Sequence, residues 1–225
     1  MEKSVLKRGY LHTELVSMMY KQGEKMSLAG LFQDRATITL EQFKIGLQTI
    51  ANKLAQKKIT IEVEANSKFS SPIILVLPTS MISLSDLIAM AKINFDRNKI
   101  DLTKILFLPQ PKAVDTLHVI IGNSFCKIEK ELHGKANEVS NSISKQNGIG
   151  FNLAQAIAMI HAYPDILSNQ HGIDITTQRV NWQIPYLFKN GYATPVLYAR
   201  PHWEASPRDL IAPFFTAESI ITAEN

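Results

Sequence analysis

The residues whose side chains could do metal or acid–base chemistry are few and widely spaced. The six histidines are His12, His118, His133, His161, His171 and His202. None of them forms a His-x-His, His-x-x-x-His or His-Glu-x-x-His pattern, the spacings at which a strand or helix places two imidazoles on one metal ion. The sequence therefore predicts neither a metal site nor a bound cofactor.

Nucleophilic catalysis and phosphate binding are not indicated either. Cys126 is the only cysteine, which excludes an internal disulfide and a cysteine-ligated metal cluster. It follows a predicted strand, and we interpret it as a buried, unreactive thiol. No Gly-x-Ser-x-Gly, Walker or Rossmann glycine spacing occurs, and Gly148 and Gly150 lack the rest of a phosphate loop. These absences favour a protein that is not an enzyme.

The densest group of polar and aromatic residues lies at 200–204, with the sequence Arg-Pro-His-Trp-Glu. Arginine and tryptophan are enriched at binding hot spots, and further aromatic residues flank this segment. The predicted binding surface comprises Trp182, Tyr186, Arg200, His202, Trp203, Phe214 and Phe215. The alternative is structural: Trp203 fills the core, Arg200 pairs with Glu204, and the apolar tail at 210–215 packs back on the domain.

A second candidate site is a pocket for a small molecule. It would be formed by His161, Tyr163, Arg179, Arg200 and His202. Such a site requires these side chains to converge in one concavity, where burial and mutual charge shift their titration. It would make the protein a ligand-binding domain or an enzyme.

Composition and charge indicate a globular protein without identifying its ligand. The 225 residues are 45% hydrophobic and 20% charged, and the net charge is +4. Residues 1–150 carry 20 Lys+Arg against 14 Asp+Glu, whereas residues 151–225 carry 4 against 6. Lysine dominates, and no basic run exceeds two residues. Nucleic-acid interfaces usually contain clustered arginines, or aromatic residues interleaved with basic ones, and neither pattern occurs here. Electrostatic nucleic-acid binding is therefore the weaker alternative.

The sequence also bears on location and domain organisation. No apolar run approaches the roughly 18 residues that span a bilayer, and the first residues lack the apolar core of a signal peptide. We therefore predict a cytoplasmic protein with no membrane span. A single domain over residues 1–225 is expected, with a possible break near 140–150, where a polar linker is predicted.

Hydrophobic periodicity predicts helices first and strands later. Apolar residues at helical spacing over 5–19 predict a helix ended by Gly23, and Thr39 begins a capping box for a second helix to about Lys57. Ser83 and Asn152 are expected to cap two further helices. Residues 59–64 alternate as a half-buried strand, and two strands with continuous apolar sequence are predicted at 72–77 and 117–121.

The C-terminal third supplies the last elements of the predicted fold. The Asn190-Gly191 pair favours a hairpin over 184–198, and residues 199–225 are expected to be irregular. Helices and strands that do not alternate strictly predict an α+β fold. Its N-terminal helices would pack on a mixed, largely antiparallel sheet with a C-terminal hairpin.

The segment 150–167 resembles an uncharacterised bacterial family catalogued as a domain of unknown function. The residues that match are Ile157, Ala158, Tyr163, Pro164, Ile166 and Leu167. Residues 184–188 are similar to the family's Val-Pro-x-Leu-Trp strand, 201–203 to its Pro-His-x-Trp, and 72–76 to an apolar strand. The family's C-terminal cysteines and several of its tryptophans are absent here. The resemblance implies a shared fold and a bacterial origin, but no substrate or reaction.

These observations favour a non-catalytic interaction module. We expect an adaptor or accessory subunit of a larger bacterial complex, such as a secretion assembly, that binds an unidentified protein partner through its aromatic and apolar C-terminal third.

Overall fold

A computed structural model describes residues 7–57, 61–64, 71–96, 100–107, 115–132, 135–167, 171–180, 183–200 and 209–224. The helices in these ranges are α1 (His12–Leu28), α2 (Leu40–Lys57), α3 (Leu84–Met90), α4 (Ala136–Ser144) and α5 (Leu153–Ala162). The first strands are β1 (Lys7–Tyr10), β2 (Ile61–Glu64), β3 (Ile73–Val76), β4 (Asn94–Phe95), β5 (Ile105–Phe107), β6 (His118–Ile121) and β7 (Ser124–Ile128). The later strands are β8 (Gly148–Gly150), β9 (His171–Asp174), β10 (Gln178–Val180), β11 (Ile184–Lys189), β12 (Pro195–Arg200), β13 (Asp209–Thr216) and β14 (Ile220–Thr222).

Both N-terminal helices form, but α1 begins and ends later than the apolar spacing predicts. Residues 7–10 form strand β1, because they pair with β2, and the helix starts at His12. Gly23 does not end α1, since it lies in the contact with α2. A Cβ there would come within 3.0 Å of Leu47 Cδ1 and 3.4 Å of the Phe43 ring. The missing side chain lets the two helices approach closely.

The helix starts predicted from capping residues are confirmed. At α2, Gln42 N donates to Thr39 Oγ1 at 3.1 Å and Thr39 N donates to Gln42 Oε1 at 2.8 Å. At α5, Asn152 and Gln155 exchange the equivalent pair of bonds, both at 2.9 Å. Ser83 caps α3 through its hydroxyl. Each cap satisfies backbone amides that have no partner inside the helix.

The two continuous apolar runs are strands, and they pair with each other. β3 and β6 are antiparallel, and β14 lies on the other side of β6, giving a small sheet in the order β14–β6–β3. Every residue of β3 and β6 is buried. α1 and α5 pack on β3, which therefore lies in the middle of the hydrophobic core.

A larger sheet contains most of the remaining strands, in the order β4–β12–β11–β9–β13–β7. β13 is the strand with the most partners, since it pairs with three others. It pairs in parallel with β9 at residues 209–211, antiparallel with β8 at 214–216, and antiparallel with β7 on its other edge. The other strand contacts are antiparallel except for the short β12–β4 pair. The fold is α+β with a largely antiparallel sheet, as predicted.

Pro213 lies inside β13, which is paired on both sides, where a proline usually breaks the hydrogen-bond ladder. It is accommodated because residues 209–211 pair with β9, residues 214–216 pair with β8, and Pro213 lies between these two segments. Its carbonyl oxygen accepts a hydrogen bond from Phe151 N at 2.9 Å. The proline therefore marks the position at which β13 changes neighbours.

Two sequence interpretations are wrong at this point. Residues 199–225 are not an irregular tail, because they include β13 and β14. Residues 140–150 are not a linker: α4 continues to Ser144, and Gly148–Gly150 form β8. At Gly148 a Cβ would lie 2.5 Å from the ring of Phe214. The glycines that suggested flexibility instead allow close packing against β13.

The hydrophobic side chains form two clusters. The larger one extends in sequence from Leu15 to Ile221 and contains side chains of α1, α2, α3, α5 and both sheets. The smaller one lies on the opposite face of the large sheet, where Val139 and Ile143 of α4 pack on Tyr186 and Phe214; we call this the α4 face. Within the described ranges, no helix combines the length and apolar composition that crossing a bilayer requires.

Candidate functional site

Three residues of the predicted binding surface lie in the core. Tyr186 is 4%, Phe214 6% and Phe215 3% exposed. Phe215 packs on Phe151 with ring centroids 5.7 Å apart, and Phe214 packs under α4. A side chain buried to this extent does not contact a partner. We therefore correct the predicted surface by removing these three residues.

The remaining members of that surface lie wholly or partly outside the described residues. Trp182, His202 and Trp203 lie outside the described residues. Arg200 is the last residue of β12, where its backbone pairs with that of Ile184, but its side chain also lies outside the described part. The binding role of these four residues stays a prediction.

The predicted hairpin is confirmed, although its loop is longer than two residues. β11 and β12 pair from Ile184–Arg200 to Lys189–Pro195. Asn190 organises the loop: its side-chain oxygen accepts from Tyr192 N and Thr194 N, both at 3.0 Å. The left-handed residue is Ala193, with φ 58°, rather than Gly191. An asparagine that bonds ahead to the backbone replaces the tight turn that Asn-Gly favours.

One side of the hairpin carries aromatic side chains on the α4 face. Tyr186 and Phe188 stack with centroids 4.9 Å apart, and Tyr198 lies across from Tyr186 in the strand register. Because alternate residues of a strand share a face, Phe188, Val196 and Tyr198 lie on the same side as Tyr186. The exposed fraction differs along this side. Tyr186 is buried, Phe188 and Val196 are half-buried, and Tyr198 is 38% exposed.

The loop adds a fully accessible aromatic ring. Tyr192 at the tip of the hairpin is 91% exposed. We call Phe188, Tyr192, Val196 and Tyr198 the hairpin patch. These residues are all within the C-terminal third that the sequence analysis singled out, but none of them was named there. The alternation of residue direction along β12 could have indicated this patch, because it places Val196 and Tyr198 on the same face of the strand.

The second candidate site is only partly assembled. His161 and Tyr163 both lie at the C-terminal end of α5. Arg179 is in β10, next to Gln178, whose side-chain oxygen accepts from Leu153 N at the other end of that helix. The rise from residue 153 to residue 161 is about 12 Å. The Arg179 guanidinium donates to the carbonyls of Thr176 and Gln178 there. The structure therefore does not bring Arg179 to His161.

A buried glutamine that sequence reasoning missed lies beside His161 and Tyr163. Gln22 of α1 is 6% exposed, and its side chain pairs with the edge of β3. Its Nε2 donates to Ile73 O at 2.9 Å, and its Oε1 accepts from Leu75 N at 2.8 Å. The side-chain amide thus takes the place that the peptide group of another strand would occupy. It satisfies an otherwise open edge.

Tyr163 completes this arrangement. Its hydroxyl donates to Ile73 O at 2.7 Å and accepts from Gln22 Nε2 at 3.2 Å. Burial raises the pKa of the Tyr163 hydroxyl to about 12, although both hydrogen bonds lower it. A phenol with that pKa is protonated at neutral pH and is unsuited to act as a general base. Its place in the fold is to hold β3 against α5.

His161 is the other titratable group of the cluster. Its side chain is 7% exposed, and its Nε2 has no hydrogen-bond partner. Burial, and then the charge of Lys25, lower its pKa to about 4, whereas a hydrogen bond to the Met90 carbonyl acts in the opposite direction. The Lys25 ammonium also donates to the His161 carbonyl oxygen. The ring is therefore neutral at physiological pH.

Cys126 and His118 occupy separate environments that do not resemble a nucleophile and its base. Cys126 is half-buried, and burial followed by the charge of Glu129 raises its pKa. His118 is 1% exposed, its Nδ1 lies 2.7 Å from Thr116 O, and burial lowers its pKa. A thiol with a raised pKa is a poor nucleophile.

Metal ligands do not cluster in the part of the chain for which side chains are placed. No three His, Cys, Asp or Glu side chains there are close enough to hold an ion. An acid–histidine pair in the described part, His171 Nε2 and Asp209 Oδ2 at 3.9 Å, links the adjacent strands β9 and β13.

Comparisons with known proteins find no counterpart for this chain. No protein-family model, no curated protein and no solved structure matches it.

Proposed function

We propose that this protein is a non-catalytic interaction module that serves as an accessory subunit of a larger bacterial assembly in the cytoplasm. The partner would be a protein, for example another subunit of a secretion assembly. The observation that supports the proposal is the hairpin patch. Tyrosines at 91% and 38% exposure lie on the β11–β12 hairpin of the large sheet.

The chemistry of the patch suits a protein partner. Tyrosine offers a large apolar ring and a polar hydroxyl, and it is enriched at interface hot spots. The half-buried Phe188 and Val196 lie beside Tyr198 and would be desolvated when a partner covers the patch. The predicted surface residues Arg200, His202 and Trp203 follow Tyr198 closely in sequence, and we propose that they belong to the same binding surface.

The alternatives have less support. Two side chains of the small-molecule pocket are engaged with the fold, because Tyr163 bonds the backbone of β3 and Arg179 bonds carbonyls at the opposite end of α5. Nucleic-acid binding rests only on the lysine excess of residues 1–150. We also propose that the chain resembles an uncharacterised bacterial family. Membership of that family would not imply any particular activity.

The test compares two tyrosines that have the same exposure. We expect Tyr198→Ala to weaken binding of a partner isolated from native lysate at least tenfold, which is about 1.4 kcal/mol. Tyr20→Ala is the matched control, since Tyr20 is also 38% exposed but lies on α1. Its effect should stay under twofold. The dissociation constant is measured with the purified partner by calorimetry.

Two results would contradict the proposal. One is a monomeric protein that captures no partner in stoichiometric amount. The other is a purified partner that binds both tyrosine variants as tightly as it binds the unaltered protein.

A further inference from the structure

We propose that the contact between α1 and the C-terminal end of α5 is an acid-sensitive latch. The latch is closed while the His161 ring is neutral, and it opens when the ring takes up a proton. The three groups that form it are the His161 side chain, the Lys25 ammonium and the Gln22 amide.

The surroundings of His161 disfavour the protonated, charged form of its ring. The side chain is 7% exposed, and its Nε2 has no acceptor in the described part of the structure. A protonated imidazole carries a proton on both ring nitrogens, so Nε2 would then be a donor. Protonation would therefore create a buried N–H donor without a partner, which is costly in an apolar environment.

The charged group that acts on the ring is a cation. Lys25 of α1 donates to the carbonyl of His161 itself, which brings its ammonium to the end of α5. From α3 the ring meets the neutral Met90 carbonyl, and Asp86 at the other end of α3 is bonded to Ser83 Oγ at 2.5 Å. α5 has no acidic residue, and β3, on which it packs, consists of Ile, Ile, Leu and Val.

Two other ionisable groups near His161 do not change the preference of its ring for the neutral form. Tyr163, on the C-terminal side of His161, has a pKa of about 12 and stays neutral throughout the acidic range. Asp165 is exposed in the short 3-10 helix that follows. The end of a helix usually favours a cationic histidine because of the helix dipole. Burial and the adjacent ammonium outweigh that effect here.

Opening would release more than one contact, because the same helix bears both Lys25 and Gln22. Lys25 holds the end of α5, and Gln22 holds the edge of β3 through Ile73 O and Leu75 N. Separation of α1 from α5 therefore exposes that edge. The amide of Leu75 becomes the local reporter, since its hydrogen-bond acceptor is the side chain of Gln22.

The pH window follows from the pKa of His161 in the two states. It is about 4 in the closed latch and about 6.5 once the ring is in water. A histidine with a depressed pKa stabilises the closed state above pH 6.5, and this contribution is lost as the pH falls from 6.5 towards 4. Linkage then predicts that the opening equilibrium rises about 30-fold between pH 7.5 and pH 5.0.

Hydrogen exchange of the whole protein tests the proposal. We expect the amide of Leu75 and the amides of α1 to lose about 30-fold in protection between pH 7.5 and pH 5.0 after correction for intrinsic exchange rates. His161→Asn keeps a polar side chain and removes the titration, so it should abolish this loss. His118→Asn is the comparison variant, since His118 is also buried but lies on β6 and its Nδ1 bonds the Thr116 carbonyl; it should leave the loss of protection in α1 unchanged.

An NMR titration of the His161 ring provides a second measurement that needs no variant. A pKa below about 5 in the folded protein supports the latch, and a pKa near 6.5 overturns it. The proposal also fails if acid lowers protection equally in all strands, or if His161→Asn opens at pH 5.0 as readily as the unaltered protein.

Discussion

Replacing Gly172 with alanine is expected to destabilise the protein by about 3 kcal/mol, near the upper end of the usual cost of overpacking. Gly172 lies in β9, and the new Cβ would be 2.0 Å from Tyr186 Cε2 and 2.8 Å from the tyrosine hydroxyl. The ring cannot withdraw, because it is 4% exposed and stacks on Phe188. The free energy of unfolding in urea measures the effect, which should also lower the melting temperature by roughly 10 °C.

Gly191→Ala is the control for that substitution. No atom lies within 4 Å of the position that its Cβ would occupy, so the change should stay under about 0.5 kcal/mol. In a Tyr186→Ala background, Gly172→Ala should cost much less, because the ring it collides with is gone. If both glycine variants are equally stable, the packing of Tyr186 on β9 is not as described.

The second large effect is expected at Gln22. Gln22→Leu keeps a similar volume but leaves the amide of Leu75 without an acceptor and removes one donor from Ile73 O. A buried backbone group without a partner costs about 1–3 kcal/mol, so we expect a loss of about 2–3 kcal/mol. Urea unfolding at pH 7.5 measures it, and Leu75 should lose its protection from hydrogen exchange.

Gln48→Leu is the matched control on α2. Gln48 is exposed and bonds only Tyr20 and Asn52, so its replacement should change stability by less than about 1 kcal/mol. Gln22→Glu separates hydrogen bonding from shape. It retains an acceptor for Leu75 N but buries a carboxylate, so its stability deficit should be largest above neutrality and shrink towards pH 4. Equal losses for the leucine variants of Gln22 and Gln48 would contradict the structural role of Gln22.

The parts of the fold that could be predicted from sequence are those governed by local chemistry. The caps at Thr39 and Asn152, the buried strands at 73–76 and 118–121, and the hairpin beginning at Ile184 all depend on residues close in sequence. The errors occurred where distant pairing decides the conformation. Residues 7–10 are a strand because β2 lies beside them, and Pro213 is tolerated because β13 changes neighbours there.

The candidate sites follow the same division. Exposure of Tyr192 at the hairpin loop could be inferred from its position next to Gly191, whereas the burial of Phe214 and Phe215 depends on strands 60 or more residues away. Gln22 had a detectable signal, since it interrupts the apolar helical face formed by Leu15, Met19 and Met26. What the sequence could not supply is the partner of that polar side chain, the edge of β3.

The position of β13 has a consequence for synthesis of the chain. The strands β7, β8 and β9 are all made before it, and each pairs with it along an edge. Until residue 216 has left the ribosome, those edges have no neighbour in the large sheet, and unpaired edges invite association between nascent chains. The protein should therefore depend on chaperones during translation, and a chain that stops before β13 should accumulate as aggregate rather than as a shorter folded protein.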